Sequence, residues 1–85
     1  MPYQVNLSRP AERQLARLER PAQERIGAAL DRLAANPRPH GCTKLKGLDE
    51  AYRIRVGDYR VVYSIQHRVM TVLVIRIGHR REVYR

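Results

Sequence analysis

The sequence predicts an α+β fold in which two helices pack on one face of a small twisted sheet. Three observations support this prediction: a short alternating segment at the start, two segments with helical spacing, and a second half that alternates again between turns. Three consecutive antiparallel strands need a cover on one side, and the helical hairpin has the apolar face to supply it. We therefore expect one domain, residues 1–85, built as strand, helical hairpin and three-stranded meander.

The first strand and the helices are marked by alternation and by capping residues. Residues 3–7 alternate apolar and polar side chains, which predicts a strand that pairs beside the meander. Ser8 suits a helix N-cap, and the Arg20-Pro21 pair separates the first helix from the second. Asn36-Pro37 is expected to end the second helix.

The stretch YRIRVGDYRVVY, residues 52–63, predicts a hairpin. It alternates on both sides of Gly57-Asp58, a pair typical of a tight turn between strands. The second arm runs on to Ile65, residues 66–68 turn, and a long strand covers residues 69–77 until Gly78 stops it. Tyr52, Tyr59 and Tyr63 fall on the apolar side of this pattern and are expected in the core.

The charge balance points to an anionic partner. The net charge is +9, and all but two of the 17 cationic residues are arginine, which pairs bidentately with phosphate. Nucleic acid, an anionic surface and an acidic protein all fit this charge. The single Cys42 excludes an internal disulfide, and the first residues lack the apolar run of a signal peptide or a membrane span, so we expect a soluble cytoplasmic protein that does not engage membranes.

Several chemistries are excluded by their missing motifs. His40, His67 and His79 are far apart and lack spaced Cys, Asp or Glu ligands, so no metal site is expected. The chain has no phosphate-binding glycine loop and no serine in a recognisable triad context. We expect no cofactor.

A set of arginines remains as the candidate functional site. Arg53 and Arg55 share one strand face, Arg60 can join them across the turn, and Arg80 and Tyr84 follow near the end of the chain. Guanidinium groups can neutralise the charge that develops when a phosphodiester is cleaved, and they can equally grip phosphates without cutting. The residue types alone leave cleavage and passive binding equally open.

The chain resembles the RelE/ParE superfamily of type II toxin–antitoxin toxins, and within it the RelE branch. The resemblance rests on KLKGL at residues 44–48, YRIRVGDYRVVYSI at 52–65 and IGHRREVY at 77–84. It implies a metal-independent, ribosome-dependent endoribonuclease that cleaves mRNA by attack of the RNA's own 2′-hydroxyl. It also implies an acidic RelB-like antitoxin as partner, with promoter DNA bound only by the toxin–antitoxin complex.

The resemblance also implies roles for individual residues. The catalytic positions fall on Arg60, Arg80 and Tyr84, and the substrate-binding pair falls on Arg53 and Arg55. Apart from the resemblance, we expect Lys44, Lys46 and His79 to contact the substrate as well. Well-studied members carry lysine where this chain has Arg53 and Arg55. Because arginine stays charged at any relevant pH, these two residues can clamp phosphate but cannot accept a proton. The general base is left among His79, Tyr84 and a ribosomal group.

Alternative interpretations stay open for the residues and for the function. Arg60 could form a structural salt bridge to Asp58 or Glu82, Tyr84 could close the core, and His79 could be an exposed loop residue. A ParE-like toxin that inhibits DNA gyrase without nuclease activity is the main rival function. An inactive member that binds only antitoxin and promoter DNA is another.

Overall fold

The computed structural model describes residues 2–47 and 50–79. The elements in chain order are β1 (Gln4–Leu7), α1 (Arg9–Ala16), α2 (Arg20–Ala35), β2 (Thr43–Lys44), β3 (Ala51–Val56), β4 (Tyr59–Gln66), a short 3-10 turn (His67–Val69) and β5 (Thr71–His79). The strands form one mixed sheet, and both helices lie on one of its faces. The predicted α+β class is confirmed.

Both helices begin where the sequence predicts, and α2 also ends there, whereas α1 already ends at Ala16, before the Arg20-Pro21 pair. The Ser8 hydroxyl accepts a hydrogen bond from the backbone N–H of Ala11 at 3.2 Å and so caps α1. Pro21 lies in the first turn of α2, where its missing N–H costs nothing, and Asn36 caps the other end. No helix among the described residues is long and apolar enough to cross a bilayer.

The five strands follow the order β1-β5-β4-β3-β2. β1 runs parallel to β5 and the other neighbours are antiparallel, which confirms that the first strand pairs beside the meander. β2 was not predicted. It has only two residues, Thr43 and Lys44, which pair with Arg53 and Tyr52, and two residues are too few to show alternation.

The core lies between the helices and the sheet. Ile26 and Leu33 of α2 are buried against strand residues such as Val61, Val72 and Val74. Tyr52 and Tyr63 are also buried and stack with ring centroids 6.0 Å apart, so their predicted core position is confirmed. Tyr59 is half-buried and packs against this core.

The limits predicted for the last strand are wrong at both ends. The strand begins at Thr71 because His67–Val69 form a 3-10 turn and Met70 takes a left-handed φ of 50°. It does not stop at Gly78, which pairs with Arg60 while His79 pairs with Tyr59. Glycine weakens a strand but does not end one when the neighbouring strand continues the ladder.

Candidate nucleic-acid interface

Four arginines share the face of the sheet that points away from the helices. Directly paired residues lie on the same face of an antiparallel sheet. One row across the sheet contains Arg53, Val62 and Arg76, and the next contains Arg55, Arg60 and Gly78. We call Arg53, Arg55, Arg60 and Arg76 the arginine face. The prediction that Arg53, Arg55 and Arg60 share one face of the hairpin is confirmed.

A bulge in β5 brings Arg76 to this face. Tyr63 pairs with Val74 whereas Val62 pairs with Arg76, so Ile75 is an extra residue in the ladder. Without the extra residue, Arg76 would share the face of Val74 and point toward the helices. The sequence offers no signal for this shift, because the extra residue shows only in the pairing of β5 with β4.

Arg60 differs from its neighbours because it is buried. Only 6% of the residue is exposed, although arginine is among the residues least often buried. A guanidinium keeps its charge even when it is removed from water, and a lower local dielectric strengthens its attraction for an anion. The row that contains Arg55 and Arg60 therefore combines an exposed positive charge, on Arg55, with a buried one, on Arg60.

β2 positions the side chain of Arg53. Thr43 lies directly opposite Arg53, and its hydroxyl accepts a hydrogen bond from the guanidinium at 3.4 Å. This contact holds the half-buried Arg53 against the edge strand. Thr43 is a positioning residue that sequence reasoning missed, because the strand that carries it was not predicted.

The two predicted phosphate-binding lysines are not brought to the arginine face. Lys44 lies opposite Tyr52, whose ring is buried on the helix side, so Lys44 belongs to that side of the edge strand. Its charge also helps to lower the pKa of Glu50. Lys46 is exposed in the turn that follows β2. Their phosphate-binding role stays a prediction.

His79 also lies away from the arginine face. It pairs with Tyr59 across the ladder, and the two rings meet edge to face with centroids 6.0 Å apart at 82°. Tyr59 belongs to the same strand face as Val61 and Tyr63, which pack under the helices. The structure therefore places His79 on the opposite side of the sheet from Arg53, Arg55 and Arg60.

Arg80 and Tyr84, together with the possible ion-pair partner Glu82, lie outside the described residues. Their predicted roles stay predictions.

A second polar cluster lies at the end of the sheet away from the Gly57-Asp58 turn. His67 contacts the Tyr3 hydroxyl through Nδ1 at 3.0 Å and the Glu50 carboxylate through Nε2 at 3.3 Å. The Tyr52 hydroxyl donates to the same carboxylate at 3.3 Å. The hydrogen bond from His67 is the largest cause that lowers the pKa of Glu50. Among the described residues, no group of three or more His, Cys, Asp or Glu could hold a metal ion.

The fold is that of a small toxin from a toxin–antitoxin pair. Residues 5–84 match the family model described as the ParE toxin of the type II toxin-antitoxin system, parDE. The chain therefore belongs to this family, within the RelE/ParE superfamily of type II toxin–antitoxin toxins.

Individual relatives agree with the family match. The chain is 31% identical over 86 residues to Toxin RelG of Mycobacterium tuberculosis, covering 100% of this chain and 99% of the relative. It is 38% identical over 92 residues to Toxin RelE of the same organism, covering 99% and 88% of the two chains.

Solved structures show the same fold. The archaeal RelE–RelB complex from Pyrococcus horikoshii contains a chain with a TM-score of 0.84 at 28% identity, covering 96% of this chain and 99% of that chain. The isolated Escherichia coli RelE toxin gives a TM-score of 0.82, also at 28% identity, covering 96% of this chain and 90% of that chain. The predicted architecture and the predicted superfamily are both confirmed.

Proposed function

We propose that this toxin is an endoribonuclease that cleaves mRNA on the ribosome without a metal ion. The observation that carries the proposal is the arginine face, above all the buried Arg60 directly opposite the exposed Arg55. The membership in a superfamily that includes toxins named RelE supports it. Arginine is the side chain best suited to hold a phosphodiester while its negative charge grows.

The reaction follows from the chemistry of RNA and from the charges on this face. The 2′-oxygen attacks the adjacent phosphorus while its proton passes to a base, and the bond from phosphorus to the 5′-oxygen breaks as that oxygen gains a proton. A cyclic phosphate and a free 5′-hydroxyl result. Arg60 and Arg80 stabilise the charge on the phosphorane, while Arg53 and Arg55 hold the flanking phosphates.

The base is not an arginine, because a guanidinium holds its proton at any relevant pH. His79 pairs with Tyr59 on the helix side of the sheet, opposite to the side of Arg55 and Arg60. That placement favours Tyr84 or a group of the ribosome as the proton acceptor.

The partner that restrains this toxin is an acidic, RelB-like antitoxin. A chain with net charge +9 attracts an acidic protein strongly, and such a protein would cover the arginine face and block RNA. Several matching solved structures at 25% identity or more are complexes of such a toxin with its antitoxin. In this proposal the toxin acts in the cytoplasm, and promoter DNA is bound only by the toxin–antitoxin complex.

Primer extension on a translated mRNA after induction of the toxin tests the proposal. We expect cuts within codons at the ribosomal A site, and we expect Arg55→Ala and Arg80→Ala to weaken them. Loss of one preorganised donor to a transition state reduces turnover by about 10²–10³-fold. Arg13→Ala removes an exposed charge from α1 and serves as the control. Growth arrest without any cut in the mRNA would contradict the proposal.

Inhibition of DNA gyrase is the second candidate, because the matching family model is described as a ParE toxin. This function requires binding to a protein and does not require a phosphodiester to be cleaved. A supercoiling assay with purified gyrase separates the two candidates. Inhibition that persists in the Arg80→Ala variant, together with unchanged toxicity, would establish the ParE-like function.

A further inference from the structure

A cleft lies between α1 and the outer edge of β5. β1 pairs with β5 only as far as Leu7 and Val74, so the rest of β5 runs beside the helix and not beside a strand. The cleft has a volume of about 600 Å³. Sites for small molecules in proteins usually measure roughly 300–1,000 Å³. The space is therefore large enough for a nucleotide.

The walls of the cleft are positively charged. Arg17, which directly follows α1, and Arg76 from β5 both line it, and both are exposed. Among residues 2–47 and 50–79, no aspartate or glutamate lines the cleft, and neither arginine forms a salt bridge there. Two arginines from different parts of the chain thus line one opening, which favours an anionic ligand such as a phosphate group.

The cleft also contains surfaces suited to a planar ring. Tyr59 and His79 line it with their rings at 82° to each other, so a base parallel to one ring meets the edge of the other. Leu18 adds an apolar contact. The Gln14 side-chain oxygen accepts a hydrogen bond from the Ile77 N–H at 2.7 Å, which leaves the amide NH₂ to donate to a base.

Arg76 connects this cleft to the arginine face. The bulge at Ile75 places Arg76 in the same row as Arg53, yet Arg76 also lines the cleft. The flexible backbone of a single strand bound on the arginine face can therefore bend around the edge of β5 and stay close to arginine side chains. A duplex is too stiff and too wide to make this turn.

We propose that this cleft binds one nucleotide of single-stranded RNA that flanks the segment on the arginine face. The base lies against Tyr59 and His79, and its phosphate lies between Arg17 and Arg76. Aromatic stacking combined with arginine contacts is the usual recognition chemistry for unpaired nucleotides. The inference rests on the proposed function in taking RNA as the substrate, and it gives His79 a role in binding the base.

Nuclear magnetic resonance on the purified full chain tests the cleft with adenosine 5′-monophosphate as the probe. Saturable shifts are expected at Gly78, at His79 and at the side-chain amide of Gln14. Inorganic phosphate at the same concentration should shift these signals much less, because it lacks a base to stack. Arg17→Ala should weaken the binding of the nucleotide about tenfold, the effect of one lost charge-assisted hydrogen bond. Arg13→Ala, one turn earlier on α1 and outside the cleft, should leave it unchanged.

The inference would be overturned if adenosine 5′-monophosphate failed to shift the signals of Gly78, His79 and Gln14. Equal shifts with inorganic phosphate would also overturn it, because they would show an anion site without recognition of a base. The test uses no ribosome, so its outcome is separate from that of the nuclease proposal. Nucleotide binding in the cleft of a chain that cuts no mRNA would contradict the proposed reaction alone, and cleavage without such binding would contradict the cleft alone.

Discussion

Arg55 and Arg60 lie directly opposite each other in the β3–β4 hairpin. Val56 and Tyr59 flank a two-residue turn as a hydrogen-bonded pair, so the next pair is the closely spaced kind, with Cα atoms about 4.5 Å apart. Like charges opposite each other destabilise a sheet. The two positive charges therefore repel each other, and an anion bound between them would weaken that repulsion.

Arg55→Thr should raise the free energy of unfolding of the free protein by about 0.5 kcal/mol, because it removes the repulsion and threonine suits a strand. Denaturant unfolding at low salt measures the gain. The gain should shrink in 1 M salt, where the screening length is about 3 Å. Arg53→Thr is the matched control, since Arg53 lies opposite Val62 and bonds to Thr43, and its loss should bring no gain.

Binding of single-stranded RNA should weaken steeply with salt. Neutralising about four phosphates gives a slope near −3 in a plot of log affinity against log salt concentration. Arg55→Ala should reduce the magnitude of this slope by about 0.7, the contribution of one phosphate contact. Fluorescence anisotropy with a labelled oligonucleotide measures both slopes. Arg13→Ala should leave the slope as it is, and a flat salt response of the unaltered chain would contradict phosphate clamping.

Tyr63→Phe should lower the free energy of unfolding by about 1 kcal/mol, because the buried phenol donates a hydrogen bond to the Pro37 carbonyl at 2.6 Å. The same variant should alter the response to alkali. Burial raises the pKa of Tyr63 above its ordinary value of 10.0, so the folded chain retains a proton that the unfolded chain loses. Stability should therefore fall as the pH rises above 10.0, and less so in the variant.

Urea unfolding at neutral pH and again above pH 10.0, the ordinary pKa of tyrosine, measures both effects. The exposed hydroxyl of Tyr3 offers a control, because Tyr3→Phe keeps the Pro37 contact. An equal loss of stability in alkali for Tyr63→Phe and the unaltered chain would contradict the assignment.

Glu50→Gln should flatten the acid side of the stability profile. The hydrogen bond from His67 lowers the pKa of the Glu50 carboxyl below 4.5, so the ionised carboxylate is favoured by folding. Its contribution is present above pH 4.5 and is lost as the pH falls through the lowered pKa. Denaturant unfolding across this range compares the variant with Glu24→Gln, which changes an exposed carboxylate on α2. Identical acid profiles for both variants would disprove the role of the Glu50–His67 contact.

The elements with strong local signals were predictable from the sequence. The helices followed from Ser8, Pro21 and Asn36, and the hairpin followed from strict alternation around Gly57, whose φ of 60° is readily adopted by glycine. Only the first residue of the turn has positive φ, the pattern of a type II′ turn. These features depend on a few neighbouring residues, and a sequence displays them directly.

The features that escaped prediction depend on contacts between distant residues. The bulge that carries Arg76 to the arginine face exists only in the pairing of β5 with β4. Gly78 looked like the end of a strand because its pairing with Arg60 is invisible in the local pattern. Once the strand continues to His79, its alternation with Ile77 places the imidazole on the helix side. The burial of Arg60 likewise arises from the tertiary fold.

The hydrogen bond from Ile77 to Gln14 also bears on how this chain avoids aggregation. An exposed strand edge with free N–H groups is a template on which another copy of the chain can add a strand. The Gln14 side chain on α1 accepts a hydrogen bond from the Ile77 N–H. The Ser8 hydroxyl donates one to the Ile75 carbonyl, two residues earlier. A second molecule would have to displace both side chains to pair there. Ser8 at the start of α1 and Gln14 within it thus make the addition of another strand at this edge less favourable.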